Sequence, residues 1–247
     1  MNSAVFVASE VLSRSKFYPL KVDIFITVPK LASHFLRGVR MWSWLSVALS
    51  GYISLSAAEN RRVRQSAVFK ILSLFMLLVI VWNHQYVPSV SLVWISVGLV
   101  TSAISDWFYT KGAYPKVCFI GFMVAQIAYS FLFWSQLSSG IVWWLPAMLL
   151  ALGVVCFFLL LPKIDRFIFP VVLMGVSLLL LNWAAGEVWL SQNNLESLMG
   201  FTGTLMLTLS AVLLAIRDYK LSFCKSRYFA SGSYLIAHSL ISASLVL

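Results

Sequence analysis

The stretch VFKILSLFMLLVIVWNHQYV, Val68–Val87, follows closely on a basic cluster of Arg61, Arg62 and Arg64, and its reading decides the class of fold. It stays apolar for about the 20 residues that a helix needs to cross hydrocarbon at 1.5 Å of rise each. Its texture is even, without the in–out alternation of a barrel strand. In lipid, where no water pairs with a free N–H or C=O, such a segment must bond internally as a helix.

Outward from this stretch the pattern repeats. Spans are predicted at Trp42–Ala57, Val68–Val87, Val90–Tyr109, Val117–Leu137, Ile141–Leu161, Phe167–Trp189, Leu198–Ile216 and Tyr228–Leu247. The 247 residues are 61% hydrophobic and 11% charged, with a mean hydropathy of +0.91, whereas a soluble domain is roughly half apolar and about a quarter charged. A net charge of +10 could point to nucleic acid, but the 18 Lys and Arg lie in short clusters between apolar runs and read as orientation signals. Cys118, Cys156 and Cys224 show neither ligand spacing nor a pairing pattern, so they read as free thiols, and no metal site or cofactor is expected. No long polar linker or internal repeat is legible. The fold class expected is all-α: a polytopic transmembrane bundle of about eight spanning helices over residues 41–247.

Charge sets the expected orientation. Arg61, Arg62 and Arg64, then Lys111 and Lys116, then Lys163 and Arg166, and finally Arg217, Lys220, Lys225 and Arg227 fall in alternate loops. The loops around Asn83–Ser89, Ser138–Gly140 and Ser191–Ser197 carry no Lys or Arg. The positive-inside rule places the basic loops in the cytoplasm and the C-terminus opposite. Residues 1–40 break the pattern, with Arg14, Lys16, Lys21, Lys30, Arg37 and Arg40 ahead of a helix that should start outside. Two readings stay open: translation beginning at Met41, or a basic amphipathic surface helix after Pro29.

Polar groups at membrane depth are costly and by default mark function. Lys70 and Asp106 lie about 5 and about 8 Å inside the basic-loop boundary of the second and third spans, where they could face each other. Gln126 and His238 lie about 14 to 15 Å deep, each sharing a helix face with a tyrosine, Tyr129 and Tyr234. Together they could line a polar cavity opening toward the cytoplasm. Each has a plainer reading: Lys70 snorkelling, Asp106 as an orientation device, Gln126 and His238 as interhelical glue. Glu187 reads as an outer interfacial residue, about 20 Å from Asp106 along the axis, and the tryptophans as belt and packing residues.

From Met41 onward the chain resembles the YhhN family of eight-helix membrane proteins. The matching stretches are Phe69-Lys70, Ser105-Asp106, Gly121 through Tyr129, Gly186-Glu187-Val188-Trp189, Gly203 through Ser210, and Tyr234 to His238. Two departures from the family pattern fall at three positions, Ala211, Gln126 and His238. Ser210-Ala211 stands where the family commonly has Ser-Asp, and Gln126 and His238 exchange the family's usual His and Gln. The resemblance implies a lysoplasmalogenase: hydrolysis of the vinyl ether of a lysoplasmalogen to a fatty aldehyde and a glycerophospho-alcohol.

That chemistry needs a proton donor more than a nucleophile, and a buried carboxylic acid suits it. Asp106 is the expected acid and His238 the expected orienter of water. Gln126, Tyr129, Tyr234 and Ser210 are expected to bind substrate oxygens, and Lys70 the phosphate. The expected partners are a lysophospholipid or similar amphiphile and the bilayer, not nucleic acid. A lipid binder that has lost its chemistry with the acid at Ala211 is the alternative, and saturable binding without turnover would mark it. A small transporter is a third reading, marked by uptake that depends on an ion gradient. No Gly-x-Ser-x-Gly elbow supports soluble-style nucleophilic catalysis.

Overall fold

A computed structural model describes residues 42–60, 62–85, 87–112, 114–137, 142–160, 168–218 and 226–246. The N-terminal extension over residues 1–40 lies outside them, and both readings of it with it. Eight helices are found among the described residues: α1 over 42–59, then α2 (Val63–Trp82), α3 (Ser89–Lys111), α4 (Pro115–Trp134), α5 (Trp144–Leu160), α6 (Ile168–Gln192), α7 (Leu195–Asp218) and α8 (Ser226–Val246). Six of these, α2 to α4 and α6 to α8, are long and apolar enough to cross a membrane.

The helix ends differ from the apolar runs for local reasons. Helix α2 starts at Val63 rather than Val68, because exposed Arg64 and Gln65 can occupy a first turn without entering the core. It stops at Trp82 rather than Val87, where Asn83 caps it and Pro88 already serves as the N-cap of α3. Trp82 Nε1 donates to Ser96 Oγ at 2.9 Å, tying the end of α2 to α3. Helix α3 ends at Gly112 with φ +63°, a left-handed cap that glycine takes without Cβ strain, and Pro115 opens α4.

Packing joins the six spans into a ring. Going round it, α2 meets α3, α3 meets α4, α4 meets α6, α6 meets α7, α7 meets α8, and α8 returns to α2. Helix α5 packs on α6 outside this ring, burying Leu145 and Leu149 and exposing Met148, Leu152 and Phe158. Helix α1 lies along α2, where Ser50 Oγ donates to Phe69 O at 3.0 Å and Ser54 Oγ to Ser66 O at 2.8 Å. The ring thus consists of two triplets, α2–α3–α4 and α6–α7–α8, in the same order with α5 as the connector. The sequence reading found no repeat, because this repetition is in topology more than in residues.

The burial pattern is that of a protein in lipid. Large apolar side chains such as Phe75, Trp107 and Phe131 point outward, while Ser73, Ser102, Ser105, Thr204 and Ser242 are buried between helices. Lipid is as apolar as leucine, so helices associate through close contact of small residues and through interhelical hydrogen bonds. Gly203 illustrates the contact: a Cβ there would come within 3.0 Å of the Ile241 backbone N on α8. Tyr129, Leu132, Phe133, Leu181, His238 and Ile241 fill the centre of the ring.

Candidate functional site

One end of the ring is not filled. A cavity of about 220 Å³ is lined by residues from α2, α3, α4, α6, α7 and α8. It sits beside the first turns of α2, α4, α6 and α8 and the last turns of α3 and α7, hence at the end where the basic connections lie. Lys70, Asp106, Gln126, Ser210, Ser231 and Tyr234 supply its polar wall, and Phe119, Phe122, Met174, Leu207 and Leu214 much of its apolar wall.

Lys70 and Asp106 do face each other. Lys70 Nζ lies 3.2 Å from Asp106 Oδ1, with side-chain exposures of 14% and 5%. Helix α2 presents Lys70 about 10 Å above its first residue, and α3 presents Asp106 about 8 Å before its last, so the two meet at similar depth. The ammonium also lies 5.4 Å from the ring centre of Tyr234 on α8. Asp106 Oδ2 is buried and accepts no hydrogen bond. A buried acceptor without a partner is uncommon and calls for an explanation.

The remaining expected residues divide between wall and support. Gln126 lines the cavity, held by Ser177 Oγ, which donates to its Oε1, and with its Nε2 at 3.4 Å from Met174 Sδ. Ser210 lines it too, but its hydroxyl is engaged with Ala230 O at 2.8 Å and so closes α7 on α8. Tyr234 lines it and packs edge-on against Phe122. His238 and Tyr129 stand behind this wall, each fully buried and outside the cavity lining.

The bonding of His238 fixes its proton. Nδ1 lies 2.8 Å from Tyr234 O, which can only accept, so Nδ1 carries the hydrogen. Nε2, 3.2 Å from Ser102 Oγ, then receives the hydroxyl hydrogen of Ser102. The imidazole lies 4.2 Å from the Tyr234 ring and 5.7 Å from the Tyr129 ring, centre to centre. It holds α3, α4 and α8 together immediately beneath the cavity. Ser102 is the partner that the sequence reading missed, although its place four residues before Asp106 puts both on one face of α3.

Ala211 is also on the wall. Gly98, Ser105 and Asp106 on α3 recur at equal spacing as Gly203, Ser210 and Ala211 on α7, the middle helix of the second triplet. Gly98 admits the ring of Tyr129 from α4, as Gly203 admits Ile241 from α8. Ala211 is therefore the counterpart of Asp106 in the other half of the ring, and the cavity carries one acid where its construction has two equivalent positions.

Glu187 lies near the far end of α6 and is 1% exposed, and its carboxylate accepts from Val142 N at 3.0 and 3.1 Å and from Trp183 Nε1 at 2.9 Å. It anchors the approach to α5 on α6, away from the cavity.

Fold and site together define a multi-pass membrane protein whose six-helix ring holds a single-acid cavity at one end. The chain belongs to the YhhN family, whose pattern it matches over residues 65–245. It is similar to proteins named "Uncharacterized membrane protein YhhN" from Escherichia coli O157:H7 and Shigella flexneri, each 28% identical over 209 residues, covering 84% of this chain and 100% of theirs. No solved structure matches.

Proposed function

We propose that the cavity is the active site of an ether hydrolase that cleaves the vinyl ether of a lysoplasmalogen. The observation that carries this reading is Asp106: a buried carboxyl with one oxygen unpartnered, on the wall of a cavity that also offers a cation. The family resemblance supplies the substrate class. At about 220 Å³ the cavity is smaller than the ~300 Å³ at the low end of drug-sized pockets, so it suits the glycerol and ether portion, with the chain left in lipid.

Asp106 delivers its proton to the outer carbon of the enol ether, whose π electrons form the new C–H bond. The positive charge is then shared between the inner carbon and the ether oxygen, next to the carboxylate just formed. Water adds to the inner carbon and returns a proton to Asp106. The hemiacetal collapses with its hydroxyl proton passing to the glycerol oxygen, releasing aldehyde and alcohol. General acid catalysis of this kind contributes about 10² to 10⁴ in rate. In this reading Gln126 and Tyr234 bond the ether and glycerol oxygens, and Lys70 the phosphate. His238, sequestered behind Tyr234, acts as a positioning residue, as does Tyr129.

The test is aldehyde release from a synthetic lysoplasmalogen by the purified protein in detergent. Parent protein is expected to release aldehyde and Asp106→Asn to lose at least about a hundredfold in kcat. Ala211 favours a second reading, a binder of the same amphiphiles without chemistry. Well-folded parent that binds but does not cleave, with turnover appearing in Ala211→Asp, would establish that reading instead.

A further inference from the structure

Among the described residues, Lys70 is paired with the one carboxylate on the cavity wall. Its ammonium is the only cation on the cavity wall among the described residues, and it is already paired with Asp106 at 3.2 Å. A phosphate entering the cavity must therefore compete with Asp106 for it. The other titratable groups on the wall are Tyr109 of α3 and Tyr234 of α8, with Cys118 of α4 and His238 of α8 within electrostatic reach. None of these carries a standing positive charge that could take over from Lys70. The lysine stem is flexible, and the face of Tyr234, 5.4 Å away, keeps the ammonium at the wall when it leaves the carboxylate.

We propose that Lys70 is a substrate-operated lock on Asp106: a phosphate group bound in the cavity draws the ammonium away from the carboxylate, and this withdrawal readies Asp106 to act as the acid. The inference rests on the hydrolase reading for its substrate. Without the ammonium, Asp106 loses its one ionic partner and keeps only the Tyr234 hydroxyl within reach, in a buried site where an unpaired charge is costly. The carboxylate then takes up one proton from bulk solvent at the open end of the cavity. Charge balances: the phosphate brings one negative charge to the ammonium, and the proton taken up cancels that of the carboxylate it displaces. The headgroup thus serves the chemical step as well as binding, and an amphiphile lacking phosphate leaves the lock closed.

The experiment compares a 1-alkenyl-glycerophosphoethanolamine with the neutral 1-alkenylglycerol, the latter with and without inorganic phosphate, using the full chain in detergent. At saturation the neutral compound is expected to turn over about tenfold or more slowly, the least that losing a close opposite charge changes a protonated fraction. Lys70→Gln is expected to raise kcat on the neutral compound by a similar factor while raising KM for the phospholipid. A fixed phosphate clamp would raise KM alone; that result, or equal kcat for both compounds in the parent, overturns the lock. Stimulation of the neutral reaction by inorganic phosphate supports a lock that reads any phosphate, and a persisting gap without stimulation assigns the trigger to the attached headgroup.

A second measurement is independent of turnover. Infrared difference spectra on adding a non-cleavable alkyl-ether lysophospholipid are expected to show a new protonated-carboxyl band that is absent in Asp106→Asn. Lack of the band in protein that binds the lipid overturns the lock. If the band forms but no substrate is cleaved, the hydrolase reading fails and the lock stands as ligand-linked proton uptake.

Discussion

Asp106 and Tyr129 are both buried, yet only Asp106 borders the cavity. The Tyr129 hydroxyl is enclosed by packing, with Ser102 as the polar group in reach. Tyr129→Phe is expected to change thermal stability in detergent by no more than about 1 kcal/mol. His238 is the opposite case, with both ring nitrogens bonded and no exposure. His238→Ala is expected to cost about 2 kcal/mol, from the space left and the stranded Ser102, and to appear as a lower melting temperature. The meeting of Lys70 and Asp106 was legible because the helical rise alone puts them at similar depth. That His238 supports the wall instead of forming it was not legible, since depth carries no information on which side of a helix faces the cavity.

At the scale of elements, the apolar runs located the helices, while their ends followed other rules. Helix α2 runs from Val63 to Trp82 because a polar first turn is tolerated at an interface and Pro88 already belongs to the start of α3. Contacts between helices depend on small residues that hydropathy scores hardly register. Gly203→Leu is expected to push α7 from α8 and destabilise by at least about 1 to 3 kcal/mol, read as loss of monodisperse folded protein on size exclusion. Glu187 shows the same limit for a charged residue. Its position near a helix end gives its depth but not its partners, and Trp183 and the backbone at Val142 enclose it. Glu187→Ala leaves that N–H and the indole N–H without their acceptor, and a loss of about 2 to 3 kcal/mol in thermal or denaturant unfolding is expected.

At the scale of the whole molecule, the alternation of basic and uncharged loops predicts that the cavity end faces the cytoplasm. In a background lacking native cysteines, Asn193→Cys between α6 and α7 should react with a membrane-impermeant maleimide in intact cells. Gly112→Cys, between α3 and α4, should react only after permeabilisation; the reverse pattern would invert the orientation. The sequence by itself determined that this chain is a helical membrane bundle, because about 20 apolar residues in a row have few alternatives in lipid. It also placed an acid and a base at one depth. Only the tertiary structure decided that six helices close into a ring, that α5 stays outside it, and that Ala211 holds in one half of the ring the position that Asp106 holds in the other. Those outcomes depend on which face of each helix its small residues and buried hydroxyls present to a neighbour, and a hydropathy pattern that is apolar all round leaves that face unmarked.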